Sequence, residues 1–146
     1  MKALCIPHTP KPPRTAYCDA IKRNQFEDVD LEASVECDAP LNLSELSYRL
    51  VDDVRLLEPF GQGNPEPVFF IRDAQITGVQ TMGKNGQHLK IWVRDSIGRT
   101  YPVLAFGHGD EVQDWEDVKR RHLLVTVGDN RWNGERTLQL RLIDAR

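Results

Sequence analysis

Residues 88–94 of this 146-residue chain read His88-Leu89-Lys90-Ile91-Trp92-Val93-Arg94, and no other stretch indicates the fold as clearly. Polar and apolar side chains alternate along it without interruption. Because successive side chains of a β-strand point to opposite faces, the leucine, the isoleucine and the valine share one face. The other face presents a histidine, a lysine, a tryptophan and an arginine. The stretch therefore predicts a strand with one side in an apolar core and the other side open to solvent.

The segments around this strand follow in an order that indicates a small barrel. We predict strands at residues 68–80, 87–95 and 99–106, a helix at 110–120, and strands at 121–128 and 136–144. Short turn sequences join the hairpins at Asn85-Gly86, Ser96-Ile97-Gly98 and Asn133-Gly134. The order β-β-β-α-β-β is that of a five-stranded OB-fold barrel, so we expect a mainly β OB-fold domain over residues 68–146.

The part before residue 68 divides into an arm and an appendage. Residues 1–25 contain Pro7, Pro10, Pro12 and Pro13 and predict an extended proline-rich arm, either a linker or a peptide that docks on a partner. Residues 26–67 predict a small α/β appendage, in which an acidic strand at 26–38 precedes a helix and a connector. The helix is predicted from the apolar face Leu43, Leu46, Leu50, Val54 and Leu57, with a capping box formed by Asn42 and Glu45.

The connector reads Leu57-Glu58-Pro59-Phe60-Gly61-Gln62-Gly63-Asn64-Pro65-Glu66-Pro67-Val68-Phe69. Its prolines remove backbone donors and exclude a helix. Gly61 and Gly63 permit a positive φ or a close approach of two backbones. We therefore predict a fixed corner between the appendage and the barrel.

Charge is distributed unevenly in a chain whose net charge is −3. Residues 1–66 carry 7 basic and 12 acidic side chains, whereas residues 67–146 carry 12 basic and 10 acidic ones. Five of those 10 acids fall within residues 110–117, so the rest of the barrel region can present a basic surface. No apolar run is long enough for a membrane span or a signal peptide, and we expect a cytoplasmic protein.

The predicted nucleic-acid contacts lie on the polar face of the second barrel strand, on the fifth strand and in two loops. They are Lys84, His88, Lys90, Trp92, Arg94, Arg131, Trp132, Arg136, Gln139 and Arg141. OB-folds bind oligonucleotides across strands two and three, between the loops that join strands one to two and four to five. A tryptophan among cations suits stacking on an unpaired base. Two structural alternatives stay open: the helix or the residues after the connector cover Trp92, and Trp132 caps one end of the barrel.

No catalytic residue, metal ligand or cofactor is predicted. The stretch Gly107-His108-Gly109-Asp110 offers one histidine and one carboxylate, whereas a two-metal hydrolase needs several ligands around ions ~3.5–4 Å apart. The three cysteines contain no Cys-x-x-Cys pair, so neither a disulfide framework nor a zinc site is implied.

Over roughly residues 35 to 146 the chain resembles the C-terminal OB domain of the RecJ family, single-stranded-DNA-specific bacterial exonucleases of the DHH superfamily. The resemblance is carried by the connector and by Gly83-Lys84-Asn85-Gly86-Gln87-His88-Leu89-Lys90, Ala105-Phe106-Gly107, Trp132-Asn133-Gly134 and Leu138-Gln139-Leu140. Family members are 5'-3' exonucleases whose metal site includes an Asp-His-His triplet, and this sequence contains no such triplet. The resemblance therefore implies a non-catalytic module.

Two functions follow as expectations. The resemblance implies binding of single-stranded DNA, through backbone charge and base stacking, in a setting of DNA repair or recombination. The alternative is a protein-interaction module that docks on a nuclease or on a single-strand-binding protein. The chain can also be an excised C-terminal fragment of a RecJ exonuclease.

Overall fold

The computed structural model describes residues 36–146. The chain divides into a unit of Met1–Glu36 and a unit of Cys37–Arg146, and all the elements below belong to the second unit. The proline-rich arm and almost all of the acidic strand predicted at 26–38 lie outside the described residues.

The described residues form six strands, two α-helices and two short 3-10 turns. In chain order they are β1 (Ala39–Pro40), a 3-10 turn (Leu43–Glu45), α1 (Tyr48–Arg55), β2 (Phe69–Met82), β3 (His88–Arg94), β4 (Thr100–Ala105), a 3-10 turn (Gly109–Glu111), α2 (Val112–Glu116), β5 (Arg120–Trp132) and β6 (Glu135–Ala145). Among these residues no helix is long and apolar enough to cross a bilayer.

Strands β2 to β6 close into the predicted OB-fold barrel. The sheet order is β1-β2-β3-β4-β6-β5, and β2 also pairs with β5. Strand β4 runs parallel to β6, while the other neighbours within the barrel are antiparallel. A bulge between Ile71 and Ala74 lets the first half of β2 pair with β5 and the second half with β3. Asp73, with a φ of 53°, takes up the extra residue of that bulge.

The interior of the barrel contains the apolar face predicted for β3. Leu89, Ile91 and Val93 have no exposed surface, and they share the core with inward residues of the neighbouring strands. Trp115 of α2 is also buried in the core. The strict alternation on β3 therefore assigns both of its faces correctly.

The appendage helix differs from its prediction. The capping box of Asn42 and Glu45 forms, but it caps the 3-10 turn, and α1 begins after its own cap at Ser47. Between them Leu46 has an extended backbone, which resets the helical phase. As a result Val51 is buried although it is absent from the predicted face, and Leu57, beyond the end of α1, is exposed.

The connector contains no helix and forms a tight turn at Gly61–Asn64. The Asn64 side-chain amide donates to the carbonyl oxygens of Leu57 (2.6 Å) and Pro59 (3.0 Å), and Gly61 pairs with Asn64. Neither Gly61 nor Gly63 has a positive φ, and no atom lies within 4 Å of a Cβ built on either glycine. The turn is thus held by the asparagine, and the conformational freedom of the two glycines is not used.

The last hairpin is longer than predicted. Pairing of β5 with β6 continues to Trp132 and Glu135, so the connecting loop contains only Asn133 and Gly134. Both residues have positive φ, 51° and 82°, as a two-residue type I′ turn requires. The helix predicted at 110–120 is shorter in the structure. A 3-10 turn occupies Gly109–Glu111, α2 covers only Val112–Glu116, and β5 begins at Arg120.

Candidate nucleic-acid interface

The outward side of β2, β3 and β4 forms a continuous surface, which we call the outer face. It consists of Gln75, Gly78, Gln80, Met82, His88, Lys90, Trp92, Arg94, Thr100, Pro102 and Leu104. None of these residues is acidic, although the described chain carries acids on most other elements. A phosphate group on the outer face would therefore meet no negatively charged side chain of that face.

Trp92 lies in the middle of the outer face. Its partners in the sheet are Gly78 on β2 and Pro102 on β4, and its side chain remains partly exposed. A Cβ on Gly78 would lie 3.4 Å from Cδ1 of the indole, so the glycine leaves room for the ring beside β2. The Nζ of Lys90 lies 4.6 Å from the ring centroid, within the range of a cation–π contact.

His88 is fixed at one end of the outer face. Its Nδ1 accepts a hydrogen bond from the backbone amide of Gly107 at 2.9 Å. Its ring also packs edge-on against Phe106, with 5.3 Å between the centroids. Because Nδ1 is the acceptor, the neutral imidazole carries its hydrogen on Nε2, which can donate to a ligand.

The outer face continues onto β6. Val103 and Leu104 of β4 pair with Leu140 and Arg141, which places the side chains of Gln139 and Arg141 outward. The Nη2 of Arg141 lies 2.6 Å from Oε2 of Glu66 in the connector. Arg141 thus has a protein partner in the unbound state, whereas Gln139 has its amide available beside the Trp92 row.

Trp132 stands at the tip of the last hairpin and is 73% exposed. It pairs with Glu135, and alternation along β6 places it on the same side as Gln139. The fraction exposed is too large for a residue that closes a barrel end. Of the two alternatives for Trp132, the structure favours an exposed ring.

Arg131 and Arg136 are not beside Trp132. They pair with each other across the hairpin, so alternation turns both away from the tryptophan. Both form ion pairs with the carboxylate of Asp129, and Arg136 also binds Asp52 at 2.5 Å. Arg131, Trp132 and Arg136 were predicted as contacts in one loop, but the extension of β5 and β6 places the two arginines on the side of the hairpin opposite Trp132.

Lys84 and Arg94 are exposed at two ends of the outer face. Lys84 lies in the loop between β2 and β3, and Arg94 ends β3 opposite Gln75 and Thr100. Within residues 36–146 neither side chain has an acidic partner. Both are therefore available to an incoming anion.

Comparison with known proteins identifies the family. The model of the RecJ OB domain matches residues 37–144. The chain belongs to the RecJ OB domain family. It is 23% identical over 125 residues to the single-stranded-DNA-specific exonuclease RecJ of Bacillus subtilis strain 168, covering 86% of this chain and 16% of that protein. It is 26% identical over 120 residues to the RecJ of Haemophilus influenzae strain Rd, covering 82% of this chain and 20% of that protein.

Solved structures agree with this assignment. The crystal structure of RecJ in complex with Mn²⁺ from Thermus thermophilus superposes with a TM-score of 0.51 at 28% identity. That match covers 67% of this chain and 13% of the Thermus protein. The resemblance stated from the sequence is confirmed, and this RecJ OB domain spans a fifth or less of the length of the relatives named here.

A cluster of charges joins the last hairpin of the RecJ OB domain to α1. We call Asp52, Arg55, Asp129, Arg131 and Arg136 the Asp129 cluster. The Asp129 side chain has no exposed surface, and it accepts hydrogen bonds from Arg55, Arg136 and Arg131. The ring of Tyr48 packs against the Arg136 guanidinium, with 4.8 Å from its central carbon to the ring centroid.

The Asp129 cluster changes the acidity of its members. Burial by itself raises the pKa of Asp129, but the Arg136 hydrogen bond and the charges of Arg55 and Arg136 together lower it below its ordinary value. The Arg136 hydrogen bond likewise lowers the pKa of Asp52. Outside the cluster, the pKa of Asp95 is also lowered. Burial alone would raise it, but the carboxylate accepts hydrogen bonds from the Arg99 side chain and from the backbone amides of Arg99 and Ile97.

These shifts predict a loss of stability in acid. A carboxyl whose pKa is lowered by folding stabilises the protein fully above its unfolded pKa, about 4, and loses that contribution as the pH falls through the lower folded value. We therefore expect the free energy of unfolding, measured by urea titration, to fall steeply below about pH 4. An equal free energy at pH 3 and pH 7 would contradict the ion-pairing described for Asp52, Asp95 and Asp129.

Several residues of the outer face were missed by the sequence analysis. Pro102, Leu104 and Gly78 line the face beside Trp92 and Lys90, but only the cations and the tryptophan were predicted there. The burial of Val103 and Ala105 shows that Pro102 and Leu104 face outward, but residues 103–105 are all apolar and give no alternating signal in the sequence. The position of Gly78 could not be inferred, because a bulge after Ile76 shifts the register of β2.

Proposed function

We propose that this RecJ OB domain binds single-stranded DNA on the outer face, without catalysing a reaction of its own. The observation that carries the proposal is Trp92, partly exposed beside Lys90 at the centre of a surface that contains no carboxylate. A flat ring stacks on any unpaired base, and neighbouring ammonium or guanidinium groups neutralise the phosphates. β3 and β4 are the second and third strands of the barrel, which are the strands on which OB-folds bind oligonucleotides.

The relatives support single-stranded DNA as the ligand. The named relatives from Bacillus and Haemophilus are single-stranded-DNA-specific exonucleases, and the sequence of this chain contains no Asp-His-His triplet. Among the described residues, no group of three His, Cys, Asp or Glu side chains is placed to hold a metal ion. We therefore propose a role in holding a strand during DNA repair or recombination, with the chemistry supplied by other residues.

The structure refines the set of proposed contacts. Lys84, His88, Lys90, Trp92 and Arg94 stay in the proposed site together with Gln139 and Trp132, because they lie on or beside the outer face. Arg136 is left out because Asp52 and Asp129 already bind it, and Arg131 because its side chain points to the opposite side of the hairpin. Arg141 can contribute only by leaving Glu66.

The proposal is tested by fluorescence anisotropy of a labelled single strand of about 15 nucleotides, a length within the range of one or a few OB sites at ~4–16 nucleotides each. Titrations at low and moderate salt, with a duplex of the same sequence for comparison, separate strand recognition from general attraction. We expect tighter binding of the single strand, weakening with salt by a log–log slope of about −0.7 per phosphate contact. Equal affinity for the duplex, or no binding at low salt, would contradict the proposal.

The variant Trp92→Ala is expected to weaken single-strand binding by about 1–3 kcal/mol, because it removes one stacking ring. Its matched control is Leu56→Ala, which removes an apolar side chain that is 82% exposed just beyond the end of α1. Leu56→Ala should leave the anisotropy curve unchanged. Binding by Trp92→Ala with the affinity of the unmodified domain would exclude the stacking role.

A second candidate function rests on a different surface. Leu56 and Leu57 follow α1 in direct succession and are 82% and 53% exposed. Adjacent exposed leucines beside the connector suit docking on a nuclease or on a single-strand-binding protein. If the domain binds no single strand, pull-down with a purified single-strand-binding protein, compared between the unmodified domain and Leu56→Ala, becomes the deciding measurement.

A further inference from the structure

Phe106 extends the outer face beyond the end of β4. It follows Ala105 directly, and its ring contacts that of His88, a residue of the outer face. Its side chain is 51% exposed. An exposed phenylalanine is ordinary by itself, but this one continues a surface that already contains a tryptophan and a lysine.

The position of Phe106 is fixed from three directions. Its ring packs against His88 at an interplanar angle of 70°, and the next amide, that of Gly107, donates to His88. The amide of Gly109 donates to the carbonyl of Gln87 at 3.0 Å, which attaches the same segment to the turn between β2 and β3. A ring held in this way loses little conformational freedom when a ligand stacks on it.

The spacing along the outer face suits an extended strand. Trp92 is the partner of Pro102, and Lys90 is the partner of Leu104. At about 3.3 Å per residue, Phe106 lies about 13 Å along β4 from the Trp92 row, with Lys90 between the two rings. The two rings offer stacking at both ends, and the Lys90 ammonium, 4.6 Å from the Trp92 centroid, offers a phosphate contact beside the first ring.

Acidic residues set a limit to this path. Asp110 and Glu111 follow Phe106 within the next 3-10 turn, and further acids continue on α2. A phosphodiester backbone that continued in this direction would be repelled. The outer face is thus free of carboxylates between Trp92 and Phe106 and becomes acidic immediately beyond.

We propose that Phe106 is a second base-stacking position for single-stranded DNA, at which the contact between strand and barrel ends. The inference rests on the proposed function, because it names how the same strand continues from Trp92. The inference is tested by variants that keep or remove the aromatic ring at this position.

The test compares Phe106→Ala, Phe106→Leu and Phe106→Tyr in the anisotropy titration with the same single strand. Loss of one stacked base corresponds to about a 5- to 150-fold increase in Kd. We expect that increase for both alanine and leucine, because leucine restores apolar area but no aromatic face. Tyrosine should retain the affinity. Thermal unfolding of each variant checks that the contact with His88 is not needed for folding.

The outcomes separate this inference from the proposed function. If Trp92→Ala weakens binding while Phe106→Ala does not, the second stacking position is overturned and the proposed function stands. If Phe106→Leu binds as tightly as the unmodified domain, the residue supplies apolar packing only, and the stacking role is again overturned. If the unmodified domain binds no single strand at low salt, both proposals fail together.

Discussion

Replacing Asp129 by alanine should lower the free energy of unfolding by about 3 kcal/mol, in the lower part of the range for breaking a buried ion pair. The carboxylate has no exposed surface and accepts hydrogen bonds from Arg55, Arg131 and Arg136. Without it, the guanidinium groups of Arg55 and Arg136 face each other and the space left by the carboxylate. We choose the lower part of the range because those arginine side chains are 38% and 27% exposed and regain some water.

The control for this prediction is Asp53→Ala, which removes an exposed carboxylate from the same helix that carries Asp52. Surface substitutions of this kind usually change stability by no more than about 0.5 kcal/mol. Urea unfolding at pH 7 of the two variants and of the unmodified domain gives the comparison. A similar free energy for Asp129→Ala and Asp53→Ala would show that the Asp129 cluster does not hold α1 to the hairpin.

The Asp129 cluster also matters for the proposed site. It binds the side of the hairpin opposite Trp132, so it fixes the direction in which the ring projects. In Asp129→Ala we therefore expect weaker single-strand binding even under conditions where the domain remains folded. This effect on binding should be absent in the Asp53→Ala control.

Replacing Gly109 by alanine should destabilise the domain by about 3 kcal/mol, at the upper end of the usual penalty for overpacking. A Cβ at this position would overlap the carbonyl oxygen of Gly86 and would lie 2.7 Å from the carbonyl carbon of Gln87. Those are backbone atoms of a tight turn, which cannot rotate away as a flexible side chain could. The glycine is needed because two backbone segments meet there.

Its matched control is Gly63→Ala in the connector. No atom lies within 4 Å of a Cβ on Gly63, and its φ is not positive. Such a substitution is expected to be neutral or to stabilise by up to about 1 kcal/mol through the unfolded state. Thermal and urea unfolding of both variants measure the difference in stability. Equal stability for the two would contradict the close approach of Gly109 to the turn between β2 and β3.

Gly109→Ala also provides a test of the proposed interface. The loop it would displace carries Lys84, and the segment it belongs to carries Phe106. A variant that remains folded at low temperature should bind single-stranded DNA more weakly than the Gly63→Ala control. The loss should be accompanied by a smaller salt dependence if Lys84 no longer reaches a phosphate.

The barrel could be predicted from the sequence because its strands carry local signals. Alternation along β3 indicated both faces, and the turns at Asn85-Gly86 and Asn133-Gly134 indicated the hairpins. The start of α1 could not be predicted in this way. Leu43, Leu46, Leu50 and Val54 fit one helical face, yet the extended backbone at Leu46 interrupts the helix before Ser47.

The site was predictable only in part, for a similar reason. Residue type and alternation along a single strand were enough to place Lys90 and Trp92 together on an outward face. Whether an arginine can bind a ligand depends on partners far away in the sequence. Arg136 is paired with Asp52, and Arg141 is paired with Glu66. No local pattern shows which cations are already neutralised within the folded chain.

The sequence by itself was enough to predict the OB-fold, the family and the outward position of Trp92. These depend on alternation along strands, on turn residues and on separated motifs. Folding into three dimensions was needed to show which charges remain available and that Phe106 continues the outer face. It was also needed to show that Gly109 must be a glycine. These features arise where segments distant in sequence come into contact, and the energies of such contacts depend on distances and burial that exist only after folding.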